Sequence, residues 1–192
     1  MSVITPRQLA RPPVRADARR NYEALVAAAE EVFTAEGPDA PLDVIARRAG
    51  VGNATLYRHF PTRRDLLVAV CVGEVETLCE LAERLRAEPN PRDALIDWIR
   101  AYIDHVSAHR GLGAALNTGT QEDDTLVAVC QAAVTEAGSA LLEAAVRSEE
   151  VRGDLRISDL LALVGALATA SESGDQERPE RLLRLVIEGI AG

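Results

Sequence analysis

Residues 53–64 read NATLYRHFPTRR, and the side-chain types gathered there are those that read a nucleic-acid duplex. An asparagine such as Asn53 can meet adenine with two hydrogen bonds, and the methyls of Thr55 and Ala54 can touch thymine. The hydroxyl, guanidinium and imidazole of Tyr57, Arg58 and His59 can reach phosphate oxygens. Arg63 and Arg64 open a following element, where cations and free backbone N–H groups can grip a phosphate together. The alternative is an ordinary corner between two helices of a soluble bundle, which also carries a polar outer face.

Such side chains need a helix that holds them outward, and Leu56 and Phe60 give this stretch an apolar side to bury. The residues before it, PLDVIARRAGV from Pro41 to Val51, supply the support. Leu42, Ile45, Ala46 and Ala49 share one helical face, Pro41 is tolerated in the first turn, and Asp43 suits the positive end. Gly50 ends that helix, Val51 points inward, and Gly52 or Asn53 caps the next. Two short helices crossing at the small Ala46 and joined by a glycine turn make the helix-turn-helix plan. Thr62 and Asp65 then have capping-box spacing for a further helix.

Upstream, Tyr22, Leu25, Val26, Ala29, Val32 and Phe33 recur at helical spacing, with Asp17 as a possible N-cap and Gly37-Pro38 as the stop. Residues 1–17 hold three prolines and scattered arginines and read as a flexible basic arm. Downstream, Leu67, Val70, Cys71, Leu78, Leu81 and Leu85 predict a helix of roughly 35 Å. Asn90-Pro91 restarts a helix carrying Leu95, Trp98, Ile99, Tyr102 and Val106. One short helix is expected within residues 112–120. A long run from Asp123 follows, weakened slightly by Gly138. Ser158 is placed to cap a helix that is apolar nearly all round and must be covered on every side. A last helix starts near Pro179. The expected fold is all-α, with about nine helices: a three-helix helix-turn-helix head over 18–65 on a larger helical ligand-binding and dimerisation domain over 66–192.

The 192 residues carry a net charge of −9, unequally shared. Residues 1–65 hold ten arginines against eight acids, whereas residues 66–192 hold eleven against twenty-two. The candidate duplex-reading motif thus lies on the basic side of an acidic chain. Every basic residue is arginine. Neither a secretory signal nor a membrane-spanning apolar run is read, so a cytoplasmic protein is expected. Cys71, Cys79 and Cys130 lack paired spacing and read as reduced packing residues.

The sequence LDVIARRAGVGNATLYRHFPTRRDLL, preceded by AEEVFTAEG, closely resembles the DNA-binding domain of the tetracycline-repressor (TetR) family. The resemblance covers about residues 18–68 and rests on I-A-x-x-A-G-V followed by T-L-Y-x-H-F-P. It implies a homodimeric transcription regulator, usually a repressor, whose C-terminal domain binds a small effector. By position it implies base contacts for Asn53 and Tyr57 and phosphate contacts for Thr55, His59 and Arg63. Pro41 stands where many members carry a threonine cap, and Asp43 stands where a DNA contact can occur although an acid there repels phosphate. The resemblance also implies that the last two long helices pair with those of a second copy, and the small Ala162, Gly165 and Ala166 suit a close approach.

Trp98, Tyr102, His105 and His109 share one edge of a helix, and Trp98, Tyr102 and His105 could line an effector pocket with Asn117 and Cys130. Equally, the two aromatics could be core. His105 and His109 stand four apart, but HVSAH lacks the glutamate of a zinc protease and a third ligand, so no metal and no cofactor is expected. No catalytic triad, phosphate loop or dinucleotide-binding glycine pattern is present, so no enzyme is expected. The expected partners are an operator in double-stranded DNA, a second copy of the chain and an unidentified small molecule, with no membrane. The alternative is a helical small-molecule binding protein of the same fold that does not bind DNA.

Overall fold

The computed structural model describes residues 5–10, 12–108, 115–116, 121–170 and 178–190. Nine helices are formed among the described residues: α1 (Pro6–Ala10), α2 (Ala16–Glu36), α3 (Leu42–Arg48), α4 (Asn53–His59), α5 (Arg63–Leu85), α6 (Pro91–Ala108), α7 (Gln121–Arg147), α8 (Ile157–Ala170) and α9 (Arg178–Ile190). The chain is all-α. Of the expected short helix within 112–120, residues 115 and 116 are described; both are helical, and Leu116 is buried.

The packing forms two compact units, one of residues up to Glu76 with His109–Cys130, the other of Thr77–Ala108 with Gln131–Gly192. In the first, the inward faces of α2, α3 and α4 meet the start of α5. Leu25, Val32, Phe33, Ile45, Leu56, Phe60, Leu66 and Val70 form one core with Leu116 and Leu126. The head's core therefore continues past residue 65. In the second, α6 packs on α8 and α8 on α9.

The ends of several helices follow the local chemistry of the sequence. Asn90 Oδ1 accepts the backbone N–H groups of Arg92 and Asp93 at 3.0 and 3.1 Å, with Pro91 in the first helical position where no N–H is needed. Thr62 and Asp65 close a reciprocal capping box: Asp65 Oδ2 accepts from the Thr62 N–H at 2.9 Å and its hydroxyl at 2.7 Å, while Asp65 N–H donates to Thr62 Oγ1 at 3.2 Å.

Other ends depart from expectation. Residues 6–10 of the arm are helical rather than irregular, and Leu9 and Ala10 pack against the head's core. Thr5-Pro6-Arg7-Gln8 already carried the signal, because Gln8 Oε1 accepts from the Thr5 N–H at 2.9 Å and proline suits the first position. The cap of α2 is Arg15, with no side-chain bond. Asp17 lies in the first turn and pairs with Arg20. Helix α8 begins at Ile157, one residue ahead of the expected serine cap, and within a single chain Leu160, Leu161 and Val164 are buried while Ala162, Leu163 and Ala166 face outward. Asp124–Arg147 in α7 is long and apolar enough, by length and composition, to cross a membrane, which the sequence reading did not anticipate. Its apolar residues are mostly valine, leucine and alanine, and Leu126, Val134, Leu141, Leu142 and Ala145 are buried within the protein.

Candidate nucleic-acid interface

Helix α3 closes with the bond pair that a glycine permits. Val51 N–H reaches back to Ala46 O at 3.0 Å, Gly50 N–H reaches Arg47 O at 3.1 Å, and Gly50 takes φ +69. This is the Schellman arrangement, and it needs a residue without a Cβ penalty at the left-handed position. It turns the chain so that Val51 packs on the core and Gly52 caps α4.

Helix α4 is held by Leu56 and Phe60, both buried. Burial of two such side chains contributes about 3–6 kcal/mol of hydrophobic stabilisation as an upper estimate. The opposite face is left to solvent: Asn53, Ala54, Tyr57 and Arg58 are exposed, and Tyr57 retains 53% of its accessible surface. A large aromatic side chain held outward on a firmly anchored helix suits a contact with a partner better than a role in packing. Thr55 is half-buried on the flank of the same helix.

His59, Arg63 and Arg64 are oriented differently from that outward set. The His59 ring sits 6.4 Å from Tyr22 and 6.3 Å from Phe60 at tilted angles, and its Nε2 is buried without a hydrogen-bond partner. Loss of solvent around the ring, and then the charge of Arg58, hold its pKa below the ordinary value, which favours the neutral imidazole. Arg63 is half-buried, and its Nη1 donates to Pro38 O at 2.9 Å and Ala40 O at 2.5 Å. Arg64, the next residue of α5, is half-buried and lines a groove of about 590 Å³ with His59, Phe60 and Val68. Asp43 lies exposed in the first turn of α3, and Pro41 caps that helix with no side-chain bond.

Of the residues expected to line an effector pocket, Trp98, Tyr102 and His105 share α6. Trp98 is fully buried, its Nε1–H donates to Leu78 O at 3.0 Å, and its ring faces Gly138. It is a core residue. Tyr102 stacks on Trp98 at a centroid distance of 6.0 Å, and His105 follows at 6.5 Å from Tyr102; both are half-buried. Burial raises the Tyr102 pKa. Cys130 is half-buried beside the core of the first unit. Asn117 and His109 lie outside the described residues. Cys71, Cys79 and Cys130 take part in no disulfide, and burial pushes the Cys71 pKa up to about 12, so it packs as an unreactive thiol.

Two further features belong to the first unit. Arg47 and Arg48 are exposed at the end of α3, with Arg48 3.4 Å from Glu31 of α2. Between α2 and α5, Glu30 shares a hydrogen bond with Glu74, and partial burial followed by that contact raises the Glu30 pKa to about 7.

Residues 25–70 match the family described as bacterial regulatory proteins of the tetR family, and residues 90–192 match the C-terminal domain of SbtR-like transcriptional regulators. The chain belongs to the TetR family. Among solved structures, a TetR regulator from Streptomyces coelicolor is 39% identical, with 88% of this chain and 98% of that one covered at a TM-score of 0.74. A TetR regulatory protein from Mycobacterium vanbaalenii is 34% identical, with 94% and 100% covered at a TM-score of 0.76. The HTH-type transcriptional activator FasR of Mycolicibacterium smegmatis is 36% identical over 92 residues, 47% of this chain and 41% of that protein. The chain spans less than half the length of the curated relatives it matches. The chain thus has the family and the fold of DNA-binding transcriptional regulators.

Proposed function

We propose that this TetR-family protein is a homodimeric repressor that binds a palindromic operator and is released by a small-molecule effector. The exposed set Asn53, Ala54, Tyr57 and Arg58, on a helix anchored by Leu56 and Phe60, carries this reading. In the complex α4 lies in the major groove, with Asn53 and Tyr57 on base edges, Ala54 against a thymine methyl, and Thr55 and Arg58 on the backbone. His59 and Arg64 support the backbone contacts from the base of the head. Two heads then read half-sites about 34 Å apart, one helical turn, or a multiple of that spacing. Such a function places the protein with the chromosome in the cytoplasm.

Dimerisation is supported by the apolar faces of α8 and α9, where Leu163 and Leu185 keep 49% and 63% of their accessible surface. Effector contacts fall to Tyr102 and His105 on α6, which keep partial access, with Trp98 backing the tyrosine ring.

A gel-shift assay with DNA upstream of the protein's own and neighbouring genes tests the central statement. A salt-sensitive, sequence-specific complex is expected, and its absence sinks the proposal. In a reporter assay transcription falls as the protein is supplied; a rise identifies an activator and overturns repression alone. A thermal-shift screen of apolar metabolites and drugs, followed by release from the operator, identifies the effector, because a ligand selective for the folded state raises its stability.

A further inference from the structure

The two ends of the helix-turn-helix meet at Arg63. Before α3 the chain leaves α2 through Gly37, at φ +87 with extended ψ, and runs through Pro38, Asp39 and the buried Ala40 to Pro41. This short connection lacks the usual means of fixing a helix start. Pro41 has no N–H and caps α3 without a side-chain bond. After α4 the chain leaves through buried Phe60 and enters α5 at the Thr62–Asp65 capping box, with Arg63 as the first helical residue.

From there the Arg63 guanidinium turns back rather than outward. One nitrogen donates to both Pro38 O, at 2.9 Å, and Ala40 O, at 2.5 Å. These carbonyls lie immediately ahead of α3, where partners for the backbone must come from outside the helix. Hydrogen bonds from a cation are roughly twice as strong as neutral ones. A DNA phosphate could recruit this nitrogen only by competing with both.

We infer that Arg63 is a positioning residue of the DNA-binding head: it ties the start of α3 to the end of α4 through the Pro38 and Ala40 carbonyls, and so sets how α4 is presented, without itself neutralising phosphate. The inference deepens the operator-binding reading and rests on it. It departs from the phosphate contact that family position implies for this residue. Arg63 does not stand in for the side-chain cap that Pro41 lacks, which would have to accept N–H groups; it holds the connection ahead of α3 through its carbonyls.

The full chain is tested against operator and unrelated DNA at several salt concentrations, as wild type, Arg63→Lys, Arg63→Gln and Arg58→Gln. Lysine retains the charge but lacks the planar fork and the reach of arginine. Both Arg63 variants are expected to lose operator affinity by roughly tenfold, about the size of one lost base contact. Their salt slopes stay at the wild-type value, and binding to unrelated DNA is unchanged. Arg58→Gln, which removes an exposed cation, lowers the slope by about one.

If Arg63→Lys instead binds as wild type while Arg63→Gln weakens all DNA and lowers the slope by about one, Arg63 is a phosphate contact and the inference is overturned. Amide hydrogen exchange supplies a readout that does not need DNA: α3 exchanges faster in both Arg63 variants, while α6 keeps its protection. Unchanged α3 exchange overturns the clamp. If wild type binds no DNA specifically, the operator-binding reading fails, and the exchange comparison still decides whether the clamp exists.

Discussion

Gly138 of α7 lies directly against the indole of Trp98: a Cβ added at Gly138 would stand 2.6 Å from Cη2 and 2.7 Å from Cζ3 of the ring. The same added carbon would come 2.9 Å from Ile157 Cδ1. The ring cannot retreat freely, because its nitrogen is bonded to Leu78 O. Glycine inside a helix costs about 1 kcal/mol relative to alanine, so on propensity alone Gly138→Ala would stabilise. Overpacking costs about 1–3 kcal/mol and opposes that gain. Net destabilisation is expected, seen as a fall of a few degrees in melting temperature, roughly 2–4 °C per kcal/mol for a chain of this size. An unchanged or raised melting temperature would show that the ring can move.

Glu30 of α2 and Glu74 of α5 are hydrogen-bonded across the packing of the two helices. With its pKa raised from 4.5 to about 7, first by burial and then by Glu74, Glu30 binds its proton more tightly in the folded state than in the unfolded one. Its contribution to stability is therefore full below about pH 4.5 and is lost as pH rises through 7. Denaturant titrations of Glu30→Gln are expected to show less loss of stability than wild type between pH 5 and 7.5, measured as a flatter midpoint-versus-pH curve. Identical curves would remove Glu30 as the titrating group.

Tyr57→Ala should reduce operator affinity about tenfold or more while leaving binding to unrelated DNA and the salt slope near wild type, since an aromatic contact to a base edge carries sequence information but no charge. Because Tyr57 is half exposed, thermal stability should change by less than about 1 kcal/mol. Equal loss on operator and unrelated DNA would place Tyr57 outside the base-reading set.

Leu163→Glu combined with Leu185→Glu should shift the protein towards monomer in analytical ultracentrifugation, because each substitution places a charge on a face left apolar in the single chain. Operator affinity should fall with it, as paired half-site binding is lost. A variant that still sediments as a dimer would move the interface elsewhere.

The helices and the outward face of α4 were legible because each depends on neighbours in sequence. Periodicity placed Leu56 and Phe60 inward, and the Thr62–Asp65 and Asn90 caps were readable from spacing of three or fewer residues. The Arg63 contacts were not legible, because their acceptors are backbone carbonyls, which every residue carries. The ring that makes Gly138 necessary lies forty residues away, and the carboxylate that alters Glu30 lies forty-four away. Trp98 looked suited to a ligand because it is large with a polar tip; only tertiary packing showed that Leu78 already occupies that tip.

The core of the first unit has a practical implication for dissecting the molecule. A fragment ending at residue 65 would discard Leu66, Leu67, Ala69, Val70 and Val72, together with Leu116 and Leu126, all of which are buried with the helix-turn-helix residues. The DNA-reading part is thus stitched from two separated lengths of polypeptide. An excised N-terminal piece should be largely unfolded, and grafting this specificity onto another regulator requires the first half of α5 and the residues around Leu116 and Leu126 to travel with it.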